Sequence, residues 1–206
     1  MNLQRTRSVI LAVFVLCLAG MNASAQLVLD NFTAGPYSKY VVAAKTIDKH
    51  FAPLAAASPL GADRYTVLTL GSNAHKQLIR LDVGDGICIV DTGFGAYTGL
   101  AIYYGFTASG DTPLGLNLSA YSQFQLTFAG VSAAYTLSTT IVVWLSNGSI
   151  VSQELSIPPS VDPETVAYPF SGFQSSNFSD INYIGIVIEG GGLSPSYGLT
   201  LFQAAP

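Results

Sequence analysis

Charge is what this sequence has least of. Asp, Glu, Lys and Arg together make up 10% of 206 residues, with 8 basic side chains against 12 acidic ones. A chain so poor in cations is expected to have no electrostatic footprint for nucleic acid or for anionic lipid. Histidine is almost as scarce, with His50 and His75 only, which argues against a hydrolase built on a histidine-containing triad. There is no Gly-x-Ser-x-Gly elbow and no His-Glu-x-x-His. Cysteine is limited to Cys17 and Cys88, and tryptophan to Trp144.

The long apolar run that does occur lies at the N-terminus. Arg5 and Arg7 precede an apolar stretch from Val9 to Gly20 and then Ala23-Ser24-Ala25. A basic start, a short apolar segment and an A-x-A site predict a secretory signal peptide over residues 1–25, cleaved to leave Gln26. The run is shorter than the roughly 20 residues a bilayer span needs. Leu16 before Cys17 is not the small residue that a lipoprotein anchor requires. The mature chain, residues 26–206, is expected to be one secreted domain with no membrane span. Without Arg5 and Arg7 it holds six basic and twelve acidic side chains, a net charge of −6. Cys88 is then left alone, so no internal disulfide can form, and stability must come from burying a core. Between Ile87 and Ile89, Cys88 reads as a small core residue.

What the mature chain has in quantity is alternation. Phe124, Leu126 and Phe128 alternate with Gln123, Gln125 and Thr127, the period-two mark of a strand with one dry face. The stretch 114–128 organises the chain, with 135–145 expected beside it. Other strands are expected over 27–32, 37–43, 64–70, 76–83, 87–91, 97–106, 149–155, 166–170, 181–189 and 197–202, about eleven in all. Asn147-Gly148 between apolar flanks is a strong hairpin signal. Residues 44–61 contain Pro53 and Pro59 and no sustained period, and are expected to be a loop with one helical turn near Asp48. Many short strands predict an all-β, antiparallel β-sandwich.

Several segments are similar to those of bacterial exported jelly-roll domains. These are Leu60-Gly-Ala-Asp-Arg64, Ala101-Ile-Tyr-Tyr-Gly-Phe106, Leu116-Asn-Leu-Ser-Ala-Tyr121, Pro169-Phe-Ser-Gly-Phe173 and Phe178-Ser-Asp-Ile-Asn182-Tyr-Ile-Gly-Ile186. Such domains occur in proteins with PEP-CTERM sorting tails and resemble galactose-binding-like sandwiches and carbohydrate-binding modules. The resemblance implies a jelly-roll fold and an extracellular or surface setting. It brings no catalytic residues. The segment 199–206 lacks the Pro-Glu-Pro signal, apolar span and terminal arginines of that tail, so release, or retention by non-covalent contacts, is expected rather than anchoring through it.

Candidate sites follow from the second faces of the strands. Trp144 on one strand and Tyr97 and Tyr103 on another are candidates for an aromatic platform, because sugars offer apolar C–H faces to flat rings. The alternative is that loops or segment 44–62 cover this face and Trp144 belongs to the core. Sandwiches of the resembled type often carry a structural calcium near the chain ends, which makes Asp30 and Glu189 candidate ligands; no other cofactor is expected. Asp82, Asp85 and Asp91 cluster along the sequence about one hairpin, where turn-forming or solvated acids are the competing reading. Arg64 is expected to pair with an acid at the sandwich edge.

Ile89-Val90-Asp91-Thr92-Gly93 has the shape of an aspartic-protease loop. That chemistry needs a second carboxylate, and Asp111-Thr-Pro113 has proline where glycine is required. A turn is the simpler reading. The expected function is therefore a non-catalytic module binding polysaccharide or a cell-surface glycan. A structural matrix protein without a small ligand is the second class, and a hydrolase using Asp91 a remote third.

Overall fold

The computed structural model describes residues 25–61, 63–132, 136–174, 177–190 and 195–206. The expected signal peptide falls outside the described residues, apart from Ala25. Fifteen strands lie among the described residues: β1 (Leu27–Asp30), β2 (Tyr37–Val41), β3 (Thr46–Pro53), β4 (Asp63–Asn73), β5 (Ile79–Gly84), β6 (Ile87–Asp91), β7 (Ala96–Tyr104), β8 (Phe106–Thr107), β9 (Gly110–Asp111), β10 (Gln123–Ser132), β11 (Leu137–Leu145), β12 (Ile150–Ile157), β13 (Glu164–Pro169), β14 (Ile181–Gly190) and β15 (Ser196–Ala205). The only helical element among the described residues is a 3₁₀ turn, Phe170–Gly172.

The strands form two large antiparallel sheets. One runs β13-β10-β15-β6-β5-β2, with β1 also paired to β15, and the other runs β12-β11-β14-β7-β4-β3. A small β8-β9 pair is separate. The chain crosses repeatedly between the layers, as in a jelly roll, and the dry faces meet in one core. On β10, Phe124, Leu126 and Phe128 are fully buried. Phe124 sits among Phe170, Phe173, Phe178 and Phe202, with ring centroids 4.9, 6.0, 5.9 and 5.6 Å away. Facing it, β11 buries Leu137, Ile141 and Val143, and β14 buries Ile184, Ile186 and Ile188.

Two expectations need correction. The strand ending at Leu145 is not beside β10: β10 pairs with β13 and β15, whereas β11 pairs with β12 and β14 in the opposite sheet. Consecutive alternating strands in a sandwich satisfy their dry faces equally well by facing each other as by lying side by side. The second correction concerns 44–61, where Asp48 is in a strand, not a helical turn. Thr46–Pro53 forms β3, the edge of its sheet, in register with β4 from Thr46↔Leu70 to Pro53↔Asp63. Pro53 is tolerated because it ends an edge strand. The strand lacks a visible period because its inward side chains are polar. His50 stacks on Tyr37 of the opposite sheet at 3.7 Å, Tyr37 donates to Asp48, and Lys39 pairs with Asp48 at 2.8 Å. Burial pushes the Asp48 carboxyl up, but Lys39 and Tyr37 outweigh it and the net shift is downward. The open edge of the sandwich is thus closed by hydrogen bonds and charge.

The other edge of the N-terminal region is pinned by a buried ion pair. Arg64 on β4 is completely buried and grips Asp30 on β1 through two bonds, Nε to Oδ2 at 2.6 Å and a terminal guanidinium nitrogen to Oδ1 at 2.8 Å. Tyr104 on β7 donates to the same carboxylate at 2.9 Å, as does the Phe32 backbone N–H at 2.8 Å. The guanidinium also donates to the Ala34 carbonyl and lies 5.0 Å over the Phe32 ring. Asp30 and Arg64 belong to different sheets, so the pair ties the two layers together.

Candidate functional site: the outer face of the six-stranded sheet

Alternation along β4, β7, β11 and β14 places one set of side chains in the core and the other on the outer face. Cross-strand register then assembles a row. Phe51 pairs with Tyr65, and Tyr65 with Tyr103. Tyr103 pairs with Gly185, and Gly185 with Val142. Trp144, two residues beyond Val142 on the same face, pairs with Tyr183.

The rings touch in series. Phe51 stacks on Tyr65 with centroids 4.3 Å apart, Tyr65 lies 5.9 Å from Tyr103, and Tyr103 meets Trp144 edge-on at 6.2 Å. Phe106 extends the group, 6.3 Å from Tyr103 and stacked on Tyr183 at 4.6 Å. All six are half-buried. Adjacent strands are about 4.8 Å apart, so β3 to β11 span about 19 Å of sheet. This is a flat aromatic strip. Segment 46–53 does not lie over Trp144; it extends the sheet sideways and adds Phe51 to the strip.

Two glycines make the strip continuous. A Cβ on Gly185 would sit 2.9 Å from the Tyr103 ring and 3.2 Å from Cζ3 of Trp144, so the bare backbone lets both rings close over it. Gly105 has φ +95°, and a Cβ there would lie 2.6 Å from Tyr183 and 2.7 Å from the Asn182 carbonyl. The kink at Gly105 takes Phe106 out of the alternation of β7. Extrapolating that strand puts Phe106 on the core face with Tyr104; instead it joins the outer aromatics.

Polar groups accompany the rings. Burial, followed by the neighbouring Tyr65, pushes the Tyr103 hydroxyl above its ordinary pKa, so it stays protonated and can donate at neutral pH. Val67, Ala101 and Val187 continue the apolar surface along the strands, in register with one another. A flat apolar strip bearing phenol hydroxyls can stack against a sugar ring and hydrogen-bond its hydroxyls. It contains no nucleophile–base pair.

The three residues singled out in the sequence are divided by the structure. Trp144 and Tyr103 come together. Tyr97 lies on the same face of β7, but six residues from Tyr103, about 20 Å along the strand. Tyr65, Phe51, Phe106 and Tyr183 went unnoticed, although Tyr65 alternates with Arg64 and Thr66 in a strand that was itself legible.

The two candidate calcium ligands are not brought together. Tyr104, which binds Asp30, pairs with Ile184, while Glu189 pairs with Gly99 five residues further along β7, about 17 Å away. Both Asp30 oxygens already accept hydrogen bonds from Arg64 and from Tyr104 or the Phe32 amide. Asp82 is held by Arg80 and Ser38, and Asp91 accepts from Ser196 at 2.8 Å. Among the described residues no three His, Cys, Asp or Glu side chains gather as metal ligands do. Cys88 is fully buried, and its surroundings push the thiol up to about 12, so it stays protonated at neutral pH.

No protein-family model matches the chain, and no curated protein does. Solved structures of similar architecture include the family 11 carbohydrate-binding module of the cellulosomal cellulase Lic26A-Cel5E of Clostridium thermocellum. It has 11% identity and a TM-score of 0.42 over 90% of this chain and 97% of that one. A family 4 carbohydrate-binding module has 9% identity and a TM-score of 0.39, over 86% and 99%. An exo-β-agarase has 11% identity and a TM-score of 0.41, covering 90% of this chain but 25% of the enzyme.

Proposed function

We propose that this chain is an exported, non-catalytic module that binds polysaccharide along the aromatic strip, with Trp144 and Tyr103 at its centre and no cofactor in the binding step. The observation that carries this reading is the unbroken series of half-buried rings from Phe51 to Trp144 on the outer face of the six-stranded sheet. Aromatic rings with a polar tip suit a ligand that alternates C–H faces and hydroxyls. An extended strip, rather than a closed pocket, suits a chain-like ligand bound along its length.

Affinity electrophoresis through gels containing soluble polysaccharides tests this. Trp144→Ala is expected to weaken retention by at least about tenfold, roughly 1.4 kcal/mol. Tyr97→Ala, remote from the central pair, is expected to leave it unchanged. The proposal fails if wild-type protein migrates freely in every gel of a broad polysaccharide panel, or if Trp144→Ala is retained like wild type.

A further inference from the structure

One end of the sandwich is unlike the rest of its surface. Among the described residues nine large apolar side chains are exposed, and six of them, Val42, Ile47, Leu78, Phe94, Tyr97 and Val161, lie at or beside the same end. Register fixes that placement. The end of β2 meets the start of β5, which meets the end of β6, and the start of β3 meets the end of β4, which meets the start of β7. Phe94 is 76% exposed, Ile47 60% and Leu78 56%, values that no packing role within this chain explains.

The loops carrying them are lashed together. The Asn73 carboxamide donates to the Val42 carbonyl at 2.8 Å and to the Gln77 carbonyl at 2.7 Å, and accepts from the Gln77 N–H at 2.8 Å. His75 lies 5.4 Å from the Phe94 ring. The apolar tips are therefore presented on a fixed frame.

Two cations sit among them. Lys45 and Lys76 are both exposed, in a mature sequence with only six basic side chains. Both hold positive φ, 62° and 53°. Glycine or asparagine adopts that conformation at lower cost, so the backbone does not call for lysine there. On the strands entering this end, Asp48 is paired with Lys39, and Asp91, which keeps its charge while accepting from Ser196, lies opposite Arg80 in the register of β5 and β6.

We propose that this end docks the protein onto an anionic lipid surface. Phe94, Leu78, Ile47 and Val42 seat at the boundary between headgroups and acyl chains, and Lys45 and Lys76 lie over the phosphates. Exposed apolar tips flanked by cations fit such a surface, and neither feature alone does. The site is distinct from the aromatic strip and does not depend on it.

Co-sedimentation with vesicles of phosphatidylcholine containing phosphatidylglycerol, and with phosphatidylcholine alone, tests the proposal. Binding is expected to the anionic vesicles only and to fall as salt rises. Each lysine near an anionic surface contributes about fivefold, so Lys45→Gly with Lys76→Gly should lower partitioning about thirtyfold. Because glycine accepts both backbone conformations, thermal melting of that variant should be unchanged or higher, which separates lost docking from lost folding. Phe94→Ser with Leu78→Ser should abolish binding, and Trp144→Ala should leave it intact. Absence of wild-type partitioning overturns the proposal, as does equal partitioning onto neutral vesicles. It is also overturned if the Phe94 and Leu78 substitutions instead dissolve a dimer seen in sedimentation, which assigns this end to a second copy of the chain.

Discussion

Replacing Arg64 with methionine should destabilise the protein by about 3–5 kcal/mol, the range for breaking a buried ion pair by removing one partner. At the 2–4 °C per kcal/mol typical of domains this size, that is a fall of roughly 6–20 °C in melting temperature. The size of the effect comes from what remains. Asp30 keeps only the Tyr104 hydroxyl and the Phe32 amide as donors, with no cation inside the sandwich to compensate its charge. Burial alone would lower the pKa of the Arg64 guanidinium, yet hydrogen bonding and charge from Asp30 more than offset this and the net shift is upward. The fold therefore favours the charged form of the guanidinium.

A second variant separates the loss of a useful contact from the creation of a stranded charge. Arg64→Met combined with Asp30→Leu removes both charges, and it should be more stable than Arg64→Met alone. Urea unfolding of wild type, both single variants and the double variant gives the comparison. If Arg64→Met loses less than about 1 kcal/mol, or the double variant is the least stable of the four, the pair does not hold the sheets as described.

The core-forming half of the architecture was legible because it is written in alternation. Phe124, Leu126 and Phe128 signal a dry face by their spacing alone, and they are fully buried. Pairing was not legible in the same way. The period of a strand states that it has a dry face and says nothing about whether its successor lies beside it or across the core, which is why β11 was misplaced. β3 was missed for a different reason: Asp48 and His50 face inward at an open edge, where Tyr37 and Lys39 satisfy them. A strand whose inner face is polar has no hydrophobic period to read.

The aromatic strip was half legible for related reasons. Trp144 and Tyr103 stood out as aromatics on second faces. Their partners did not, because Phe51 belongs to the misread strand and Phe106 changes faces at Gly105, whose φ of +95° breaks the alternation. Six rings become one surface only when the register of five strands is known. The apolar tips of the docking end are scattered from Val42 to Val161 in sequence; strand register gathers them, and the hydrogen bonds of Asn73 tie the Val42 and Gln77 loops together.

Raising the pH above about 9 should destabilise the protein progressively, through buried groups rather than surface ones. Cys88, Tyr104 and Tyr197 are all buried acids that are neutral when protonated. Burial first, with Asp30 adding repulsion at Tyr104, raises all three above their ordinary values, Cys88 from 9.0 to about 12 and the two phenols well above 10.0. Each folded-state pKa exceeds the unfolded one, so the stabilisation is fully present below the unfolded value. It is lost as pH climbs toward the folded value. For Cys88 alone the three-unit gap corresponds to about 4 kcal/mol lost by pH 12, beginning near pH 9. The tyrosines add their share above pH 10. Urea midpoints at pH 8, 10 and 11 should therefore be level at first and then fall steeply, with the phenolate absorbance of the buried Tyr104 and Tyr197, the last part of the total, appearing only as the fold is lost. Cys88→Ala should reduce the slope between pH 9 and 11 by up to about 1.4 kcal/mol per pH unit, the value for one proton. A midpoint unchanged to pH 11, or the full phenolate signal of all eleven tyrosines in protein that is still folded, would mean that the buried side chains reach solvent and that the two sheets are not sealed against each other.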